Sequence, residues 1–368
     1  MTHSDILLKP SENKGFASLG FGCMRLPDVK EVAQMTDLYL EAGFNYFDTA
    51  YEYGGSEEKL KKALVARHPR DSYMVADKIP PWETRDRKSC DKIFKTMLSR
   101  LGLDYLDFLL VHSLDEDNER SALKADIYGF AAEQKKKGSV RHVGFSFHGS
   151  TELLEKIFKA HPEMEFVQLQ LNYIDVLRGS AKQWQDMAIK YDKPIIVMEP
   201  MRGGALANLP SAAEALMKTH APDVSVASWA NRYAATLSGA VCLLSGMSSL
   251  AQMRDNIRTF SPLKPLSKEE MEIIEAVLTQ LGKVSSIPCT GCKYCLACCP
   301  PQIEIAQCFS LYNEFKRGGA HWNLSMIYDT IPQGRRPEDC TACGACVERC
   351  PQKIDIPGEL KRVSKTLC

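Results

Sequence analysis

The sequence lacks the features that mark membrane, secreted and nucleic-acid-binding proteins. No uninterrupted apolar run approaches the length of a membrane span. The first residues, MTHSDILLKP, carry no basic region followed by an apolar core, so no secretory signal is expected. Lysine plus arginine equals aspartate plus glutamate at 46 each, which leaves no basic surplus for nucleic acid or an anionic membrane. We therefore expect a cytoplasmic globular protein that binds neither.

Cysteine, in contrast, is abundant and regularly spaced. The pattern C-x2-C-x2-C-x3-C-P occurs twice, 51 residues apart, in CTGCKYCLACCPPQIEI (289–305) and CTACGACVERCPQKIDI (340–356). This is the ligand spacing of bacterial ferredoxins with two 4Fe-4S clusters, where the fourth cysteine of each run reaches the other cluster. We predict two such clusters. The ligands of the first are Cys289, Cys292, Cys295 and Cys350, and those of the second are Cys340, Cys343, Cys346 and Cys299.

Other uses of these cysteines fit the spacing less well. Structural zinc favours closed groups of four, commonly in separated CxxC pairs, and disulfides require an oxidising compartment. Cys298 is an alternative fourth ligand, but Cys299 aligns with Cys350 in the repeat and both precede a proline. Five further cysteines have no partner at ligand spacing and are interpreted as ordinary small apolar residues or terminal thiols. They are Cys23, Cys90, Cys242, Cys308 and Cys368.

Before these motifs, short apolar runs alternate with segments of helical periodicity. Eight runs rich in β-branched and aromatic residues are strand candidates: 16–24, 44–50, 73–79, 106–114, 140–147, 166–173, 194–200 and 240–247. Strands that alternate with helices indicate an α/β fold, and eight such units in roughly 250 residues indicate a (β/α)8 TIM barrel. No G-x-G-x-x-G follows the first run, which disfavours an open dinucleotide-binding sheet.

The chain is therefore predicted to have three parts. Residues 1–265 form the barrel, residues 266–285 form a connecting helix, and residues 286–368 form the cluster domain. The segments AQCFSLYNEFKR and HWNLSMIYDT, between the two cysteine motifs, have helical patterns. They favour a small, mainly helical ferredoxin-like domain over the compact β-α-β ferredoxin.

Reactive side chains stand where the predicted strands end. Asp48, Lys78 and His112 end the second, third and fourth strands, and Tyr53 follows in the loop after Asp48. Strand ends of a barrel form one rim where catalytic groups gather. We expect Lys78, paired with Asp48, to lower the pKa of Tyr53, which then donates a proton while His112 orients a carbonyl. Taken singly, His112 would be a core histidine and Lys78 a surface charge.

The motifs that carry these residues resemble those of the aldo-keto reductases, in barrel order. They are LGFGCMRLP (19–27), FDTAYEYG (47–54), ADK (76–78), LLVHS (109–113) and VGFS (143–146). The resemblance implies a catalytic tetrad and a nicotinamide cofactor, NADP(H) with NAD(H) as the alternative. The implied tetrad is Asp48, Tyr53, Lys78 and His112.

The same resemblance implies contacts to the cofactor. Ser146 and Gln168 match positions that hold the nicotinamide carboxamide, and Gln252 and Asn256 match the adenosine-phosphate end. From the residue types alone, the four are also explained as polar side chains that form hydrogen bonds with backbone groups or cap a helix. The sequence departs from the family pattern at two positions. Phe147 stands where many members have asparagine, and Met198 stands where family members have an aromatic residue that stacks on the nicotinamide.

The whole chain resembles a ferredoxin-tailed branch of that family in prokaryotes, and three functions follow. In the first, it reduces an aldehyde or ketone and its clusters are structural or auxiliary. In the second, the clusters pass electrons between the barrel and a redox partner such as a ferredoxin. In the third, it is a nucleotide-binding redox sensor without turnover. The intact tetrad argues against the third. A hydride carries two electrons, whereas a cluster accepts one, and a flavin normally mediates between the two. The sequence shows no flavin motif, so the first function is favoured.

Overall fold

The structure is a computed structural model that describes residues 15–282, 287–289, 291–316 and 321–367. The chain divides into two compact units. The first comprises Met1–Pro200 and Ala227–Ser267, and the second comprises Met201–Val226 and Lys268–Cys368. No sequence pattern distinguished the segment 201–226 from the barrel. The three-part division proposed from the sequence remains a prediction.

Eight parallel strands close into a barrel in chain order, which confirms the predicted (β/α)8 fold. The strands are β1 (Ser18–Gly22), β2 (Tyr46–Asp48), β3 (Met74–Ile79), β4 (Leu106–Leu114), β5 (Val140–Phe147), β6 (Phe166–Gln170), β7 (Ile195–Met198) and β8 (Ala240–Ser245). Each lies within one predicted apolar run. Several runs extend a few residues beyond their strands because loops at the ends of the barrel are also apolar.

Helices follow the strands around the barrel and continue through the second unit. In chain order they are α1 (Val29–Glu41), α2 (Ser56–Leu60), α3 (Arg87–Leu101), α4 (Glu116–Ala125), α5 (Ile127–Lys137), α6 (Thr151–Ala160), α7 (Tyr173–Leu177), α8 (Ala181–Lys190), α9 (Ser211–His220), α10 (Val226–Ala235), α11 (Leu250–Phe260), α12 (Lys268–Gly282), α13 (Ile305–Lys316), α14 (His321–Asp329), α15 (Ala345–Arg349) and α16 (Ile356–Leu367). α2 continues as a π-helical turn at Lys61–Val65. Within the described residues no helix is both long and apolar enough to cross a membrane.

The ends of α3 show how local sequence sets helix boundaries. The Asp86 carboxylate accepts a hydrogen bond from the Ser89 backbone N–H at 2.8 Å, and the Ser89 hydroxyl accepts one from the Asp86 N–H at 3.0 Å. This reciprocal capping box satisfies two donors that the first turn leaves unpaired. The helix ends at Gly102, whose φ of 72° is left-handed, a conformation that glycine adopts without steric cost.

The interior of the barrel is a packed core with no channel. The rings of Tyr46 and Phe108 meet edge to face with centroids 5.2 Å apart, and those of Phe108 and Phe166 do the same at 5.5 Å. Gly144 in β5 permits this packing, because a Cβ there would lie 2.6 Å from the carbonyl oxygen of Phe166. Since side chains fill the centre, reactive groups are left to the rim.

The second unit is mainly helical, as predicted for the tail. Its core contains side chains of α13 and α16 together with cysteines of both motifs. The Asn313 amide binds both backbone groups of Ile287, accepting from its N–H and donating to its carbonyl oxygen, each at 2.7 Å. α13 and α14 coincide with the two predicted helical segments.

The internal repeat of the sequence is also a repeat of the backbone. Left-handed residues recur at the same 51-residue offset: Gly291 with Ala342, Lys293 with Gly344, and Gln302 with Lys353. The hydrogen bonds recur as well, since the N–H groups of Cys299 and Cys350 donate to carbonyl oxygens three residues earlier, each at 3.2 Å. The two cysteine motifs therefore adopt the same loop conformation.

Candidate active site and cluster cavities

A buried ion pair stands at the rim where β2 and β3 lie side by side. The Lys78 ammonium donates to Asp48 Oδ1 at 2.5 Å and to the carbonyl oxygen of Thr49 at 2.7 Å. Both charged side chains are almost completely buried. Burial acts to lower the pKa of Lys78, but the attraction of Asp48 and Tyr53 outweighs it, so the net pKa is raised. Lys78 is therefore a fixed cation at the rim.

Tyr53 lies in the loop after β2 and contacts two other predicted members of the site. The Lys78 ammonium lies 4.9 Å from the centroid of its ring, and the His112 ring meets it edge to face at 5.9 Å. Burial raises the pKa of the phenol and outweighs the opposite effect of Lys78. The predicted lowering of this pKa was therefore wrong in net direction. The phenol keeps its proton at neutral pH.

His112, on β4, is held as a neutral imidazole. Burial is the main cause that lowers its pKa well below 6.5, and the charges of Lys78 and His148 act in the same direction. Its Nδ1 is buried and has no hydrogen-bond partner among the described residues. The Trp82 ring, which remains 45% exposed, lies 5.2 Å from the imidazole. A neutral imidazole has one N–H group, so it can donate one hydrogen bond to a substrate but offers it no positive charge.

Ser146 and Gln168 are paired neighbours on β5 and β6. Both are 2% exposed. The Ser146 hydroxyl accepts a hydrogen bond from the backbone N–H of Ser113 at 2.7 Å. In the part of the chain that the structure describes, Gln168 Oε1 has no donor, although it is buried. An unpaired buried acceptor costs roughly 1–3 kcal/mol, which a ligand N–H would recover.

In the second unit, two cavities are each lined by four of the repeated cysteines. In the ranges that the structure covers, no three His, Cys, Asp or Glu side chains form a compact group for a single metal ion. The first cavity is lined by Cys289, Cys292, Cys295 and Cys350. The second is lined by Cys299, Cys340, Cys343 and Cys346. These are the two sets that the spacing predicts, each with one cysteine from the other motif.

Cys298 lies close to the second cavity but does not line it. Its sulfur is 3.4 Å from the carbonyl oxygens of Cys295 and Ala345, within the range of weak S–H donation. Burial raises the pKa of the Cys295 and Cys346 thiols to about 11. Binding of iron to either thiol would therefore have to displace its proton.

Comparison with known proteins agrees with both halves of this description. Residues 18–279 match the Aldo/keto reductase family, and residues 288–354 match the 4Fe-4S dicluster domain. The chain belongs to the aldo/keto reductase family. It carries a 4Fe-4S dicluster domain after the barrel.

Curated proteins are similar to part of this chain, at about 30% identity over the aligned residues. An aldo-keto reductase of Mycolicibacterium smegmatis is 32% identical over 138 residues, which cover 37% of this chain and 46% of that protein. The 2,5-diketo-D-gluconic acid reductase B of a Corynebacterium is 29% identical over 136 residues, 37% of this chain and 47% of that protein. The L-galactose dehydrogenase of Arabidopsis thaliana is 30% identical over 143 residues, 35% of this chain and 44% of that protein. The chain spans about half the length of these relatives.

Solved structures extend the likeness to the whole barrel. An aldo-keto reductase of Bacillus halodurans superposes with a TM-score of 0.60 at 23% identity, over 71% of this chain and 92% of that one. The 2,5-diketo-D-gluconic acid reductase B-like structure gives a TM-score of 0.58 at 21% identity, over 70% and 86%. At such identities the likeness shows the fold.

The other two predicted cofactor residues of this aldo/keto reductase lie on α11 and are hydrogen-bonded to protein groups outside that helix. The Gln252 amide oxygen accepts a hydrogen bond from the backbone N–H of Ser248 at 2.7 Å. Asn256 is buried, donates to the Ser245 hydroxyl at 2.7 Å and accepts from the Asn231 amide at 2.8 Å. The structure brings Ser146 and Gln168 to the rim, whereas Gln252 and Asn256 organise the start of α11.

Two further charged or titratable residues near these sites were not found from the sequence. Glu31 accepts a hydrogen bond from the Leu250 N–H at 3.0 Å, at the start of α11. His148 lies near enough to His112 to depress its pKa. The signal for His148 was its place directly after β5, two residues beyond Ser146. Glu31 gave no signal, because its contact is 219 residues away in the chain.

Proposed function

We propose that this chain is an NAD(P)H-dependent oxidoreductase that reduces an aldehyde or ketone at the rim of the barrel. The observation that carries the proposal is the convergence of a buried ammonium–carboxylate pair, a protonated phenol and a neutral imidazole. They belong to Lys78, Asp48, Tyr53 and His112. Membership of a family of oxidoreductases supports the same class of reaction.

In this proposal Tyr53 is the proton donor. Its phenol keeps its proton at neutral pH and can transfer it to the oxygen of a carbonyl as that oxygen becomes negative. Lys78 then stabilises the phenolate that remains, since its ammonium lies 4.9 Å from the ring. Asp48 holds Lys78 in place and keeps it charged. Positioned proton transfer of this kind typically contributes about 10²–10⁴ in rate.

His112 orients the carbonyl group. A neutral imidazole donates one hydrogen bond. The centroids of the His112 and Tyr53 rings are 5.9 Å apart, and a carbonyl oxygen that accepts a hydrogen bond from each side chain would lie between them. Trp82 covers the imidazole on one side, so part of the site is shielded from water. A partly dry site strengthens both hydrogen bonds to the developing charge.

The rim residues also fit the nicotinamide end of a dinucleotide. Gln168 offers a buried, unpaired amide oxygen among the described residues, and a carboxamide N–H is a matching donor. Ser146 lies beside it on the neighbouring strand. When bound, NADP(H), or NAD(H) as the alternative, supplies the hydride. Ser146 and Gln168 would hold the carboxamide of its nicotinamide.

We further propose that the eight repeated cysteines hold two 4Fe-4S clusters, each with three ligands from one motif and one from the other. The dicluster match and the two four-cysteine cavities support this assignment. Such clusters supply one-electron transfer or a structural cross-link. A second candidate function follows from the same observation: the cluster domain exchanges electrons with a redox partner such as a ferredoxin.

The test begins with anaerobic purification of the full chain and measurement of iron and sulfide. We expect about eight iron atoms per chain, four for each cluster. NADPH oxidation is then followed with a panel of aldehydes and ketones, and the alcohol product is quantified. Consumption of NADPH equal to alcohol formed supports the proposal. A protein with full iron content that binds NADPH and yet reduces no member of the panel would contradict it.

A further inference from the structure

Directly behind the candidate tetrad lie two buried carboxyl groups that the proposed mechanism does not use. Glu57 belongs to α2, four residues after Tyr53, and Asp77 belongs to β3, directly before Lys78. Their exposures are 1% and 0%. Carboxyl groups are almost never so buried without a partner, so their environment requires an explanation.

One oxygen of each carboxyl has a clear hydrogen-bond donor. Glu57 Oε2 accepts from the Arg100 guanidinium at 2.9 Å, and Asp77 Oδ1 accepts from the backbone N–H of Lys78 at 2.8 Å. The remaining oxygens, Glu57 Oε1 and Asp77 Oδ2, are buried without a donor in the described part of the chain. The two side chains lie within hydrogen-bonding reach of each other. Two ionised carboxylates in such contact repel, and one proton between them removes the repulsion.

The charges around the pair do not compensate two anions. Arg100 and the half-exposed Glu58 face Glu57, and Lys78 and Glu57 face Asp77. The Lys78 ammonium is already bound to another carboxylate, which leaves Arg100 as the counter-ion of the pair. Burial raises the pKa of Glu57 to about 7 and holds the pKa of Asp77 well above its usual range.

We propose that Glu57 and Asp77 share one proton, and that this hydrogen bond positions the loop carrying Tyr53 against the strand carrying Lys78. Arg100 extends the connection, because it also donates to the carbonyl oxygen of Tyr51 at 3.3 Å and lies 4.5 Å from that residue's ring. Glu57 and Asp77 are positioning residues. Their effect on rate rests on the proposed function, whereas the shared proton does not.

The shared proton makes folding depend on pH in a defined direction. In the unfolded chain a glutamate releases its proton near pH 4.3, whereas in the folded protein the pKa of Glu57 is about 7. Between these values the folded state binds more protons than the unfolded state, so stability falls as pH rises. The contribution of Glu57 is fully present at low pH and is lost as pH passes about 7. Above that value Glu57 is ionised, and Asp77, whose pKa is held well above its usual range, keeps the proton that the pair shares.

Amide substitutions test the hydrogen bond in both single and double form. In Glu57→Gln, the amide oxygen can accept from Arg100 and the amide N–H can donate to Asp77, which replaces the shared proton. Asp77→Asn achieves the same from the other side. In the double variant, both amide oxygens stay with their donors and two N–H₂ groups face each other. We expect each single variant to fold well, and the double variant to lose more in melting temperature than the two single changes combined.

Infrared difference spectra detect the proton directly and need no substrate. In the anaerobic holoprotein at about pH 8, where Glu57 is ionised, the carboxyl band of the shared proton should still be present in the wild type and should be missing in each single variant. Glu58→Gln, which changes an exposed neighbour, should retain it. The fall in melting temperature between about pH 4.3 and pH 7 should flatten in Glu57→Gln. A band that survives in both single variants, or effects that simply add in the double variant, would overturn the shared proton.

The rate measurement tests the positioning role separately. If the chain reduces a carbonyl, kcat of the wild type should fall only when the pH is raised far enough above 7 to remove the shared proton from Asp77, with KM for NADPH little changed. The same fall should disappear in Glu57→Gln. If no carbonyl is reduced, the infrared and melting results still decide whether the proton is shared. Unchanged pH profiles in Glu57→Gln, alongside a lost infrared band, would leave a shared proton but overturn its positioning role.

Discussion

The barrel and the cysteine-rich unit position their reactive groups by different physical means. In the barrel, strand register brings Lys78 within 2.5 Å of Asp48 although 30 residues separate them, and a packed aromatic core fixes the strands. In the other unit, left-handed loop residues arrange cysteines around two cavities, four cysteines to each. Three of those cysteines are themselves part of the buried core. The barrel site is therefore formed by protein packing alone, whereas the proposed clusters would couple the stability of the second unit to metal binding.

This contrast separates the expected effects of substitutions. A change at the rim should alter chemistry and leave iron content unchanged, because no cysteine of the repeat contributes to the barrel. A change in a cysteine ligand should alter iron content and leave nucleotide binding intact, because the barrel has its own core. Iron content is therefore the control for changes at the rim, and NADPH affinity is the control for changes at the cysteines.

The largest effect is expected from Tyr53→Phe. Removing the phenol oxygen removes the proton donor, so kcat should fall by a factor of about 10²–10⁴. The dissociation constant of NADPH should change little. The measurement is steady-state reduction of the best carbonyl from the panel, with a fluorescence titration of nucleotide. A variant that retains more than about a tenth of kcat would mean that another group donates the proton. Tyr51→Phe, in the same loop, is the matched control.

Lys78→Met should lower both rate and stability, and the two effects can be separated. It removes one partner of a buried ion pair, which costs about 3–5 kcal/mol in free energy of unfolding. Adding Asp48→Asn removes the unpaired carboxylate and should restore much of that stability, but not the rate. Thermal melts and kcat of the single and double variants provide the comparison. Recovery of rate in the double variant would show that Lys78 is only structural.

A smaller and more local effect is expected from the cysteines. Cys299→Ser should damage the cluster held by Cys340, Cys343 and Cys346, whereas Cys298→Ser should change little. Iron counts and electron paramagnetic resonance of both variants test this, with NADPH affinity as the control for the barrel. Loss of a cluster in Cys298→Ser with retention in Cys299→Ser would show that the ligand assignment is wrong by one residue.

The smallest effect is expected from Gln168→Met, which should stabilise the free protein and weaken its binding of NADPH. Among the described residues the buried oxygen of this amide has no donor, so replacing it should raise the stability of the free protein, by up to about 1 kcal/mol. It should weaken NADPH binding, because the carboxamide loses its acceptor. Gln170→Met, on the same strand, alters an amide that donates to Asp175 at 2.8 Å and should not weaken NADPH binding. Equal NADPH affinity in wild type and Gln168→Met would remove Gln168 from the cofactor site.

The sequence predicted most of the fold, since eight apolar runs carry the period of strands and the cysteine repeat has a fixed spacing. It also predicted which side chains meet at the rim, because parallel strands end at the same edge. It could not predict the net pKa of Tyr53, which depends on burial as well as on Lys78. Nor could it predict the contact of Glu57 with Asp77, two acids that local patterns place on unrelated elements. The grouping of residues 201–226 with the second unit likewise depends on tertiary packing.

Anaerobic stopped-flow mixing tests the central claim most directly. The full chain is mixed with NADPH, first alone and then with a carbonyl substrate, while nucleotide and cluster absorbance are followed together. The proposed function predicts that NADPH is consumed only when the carbonyl is present, at a rate that Tyr53→Phe abolishes, while cluster absorbance stays constant. Bleaching of the clusters by NADPH alone, followed by reoxidation without alcohol formation, would contradict it.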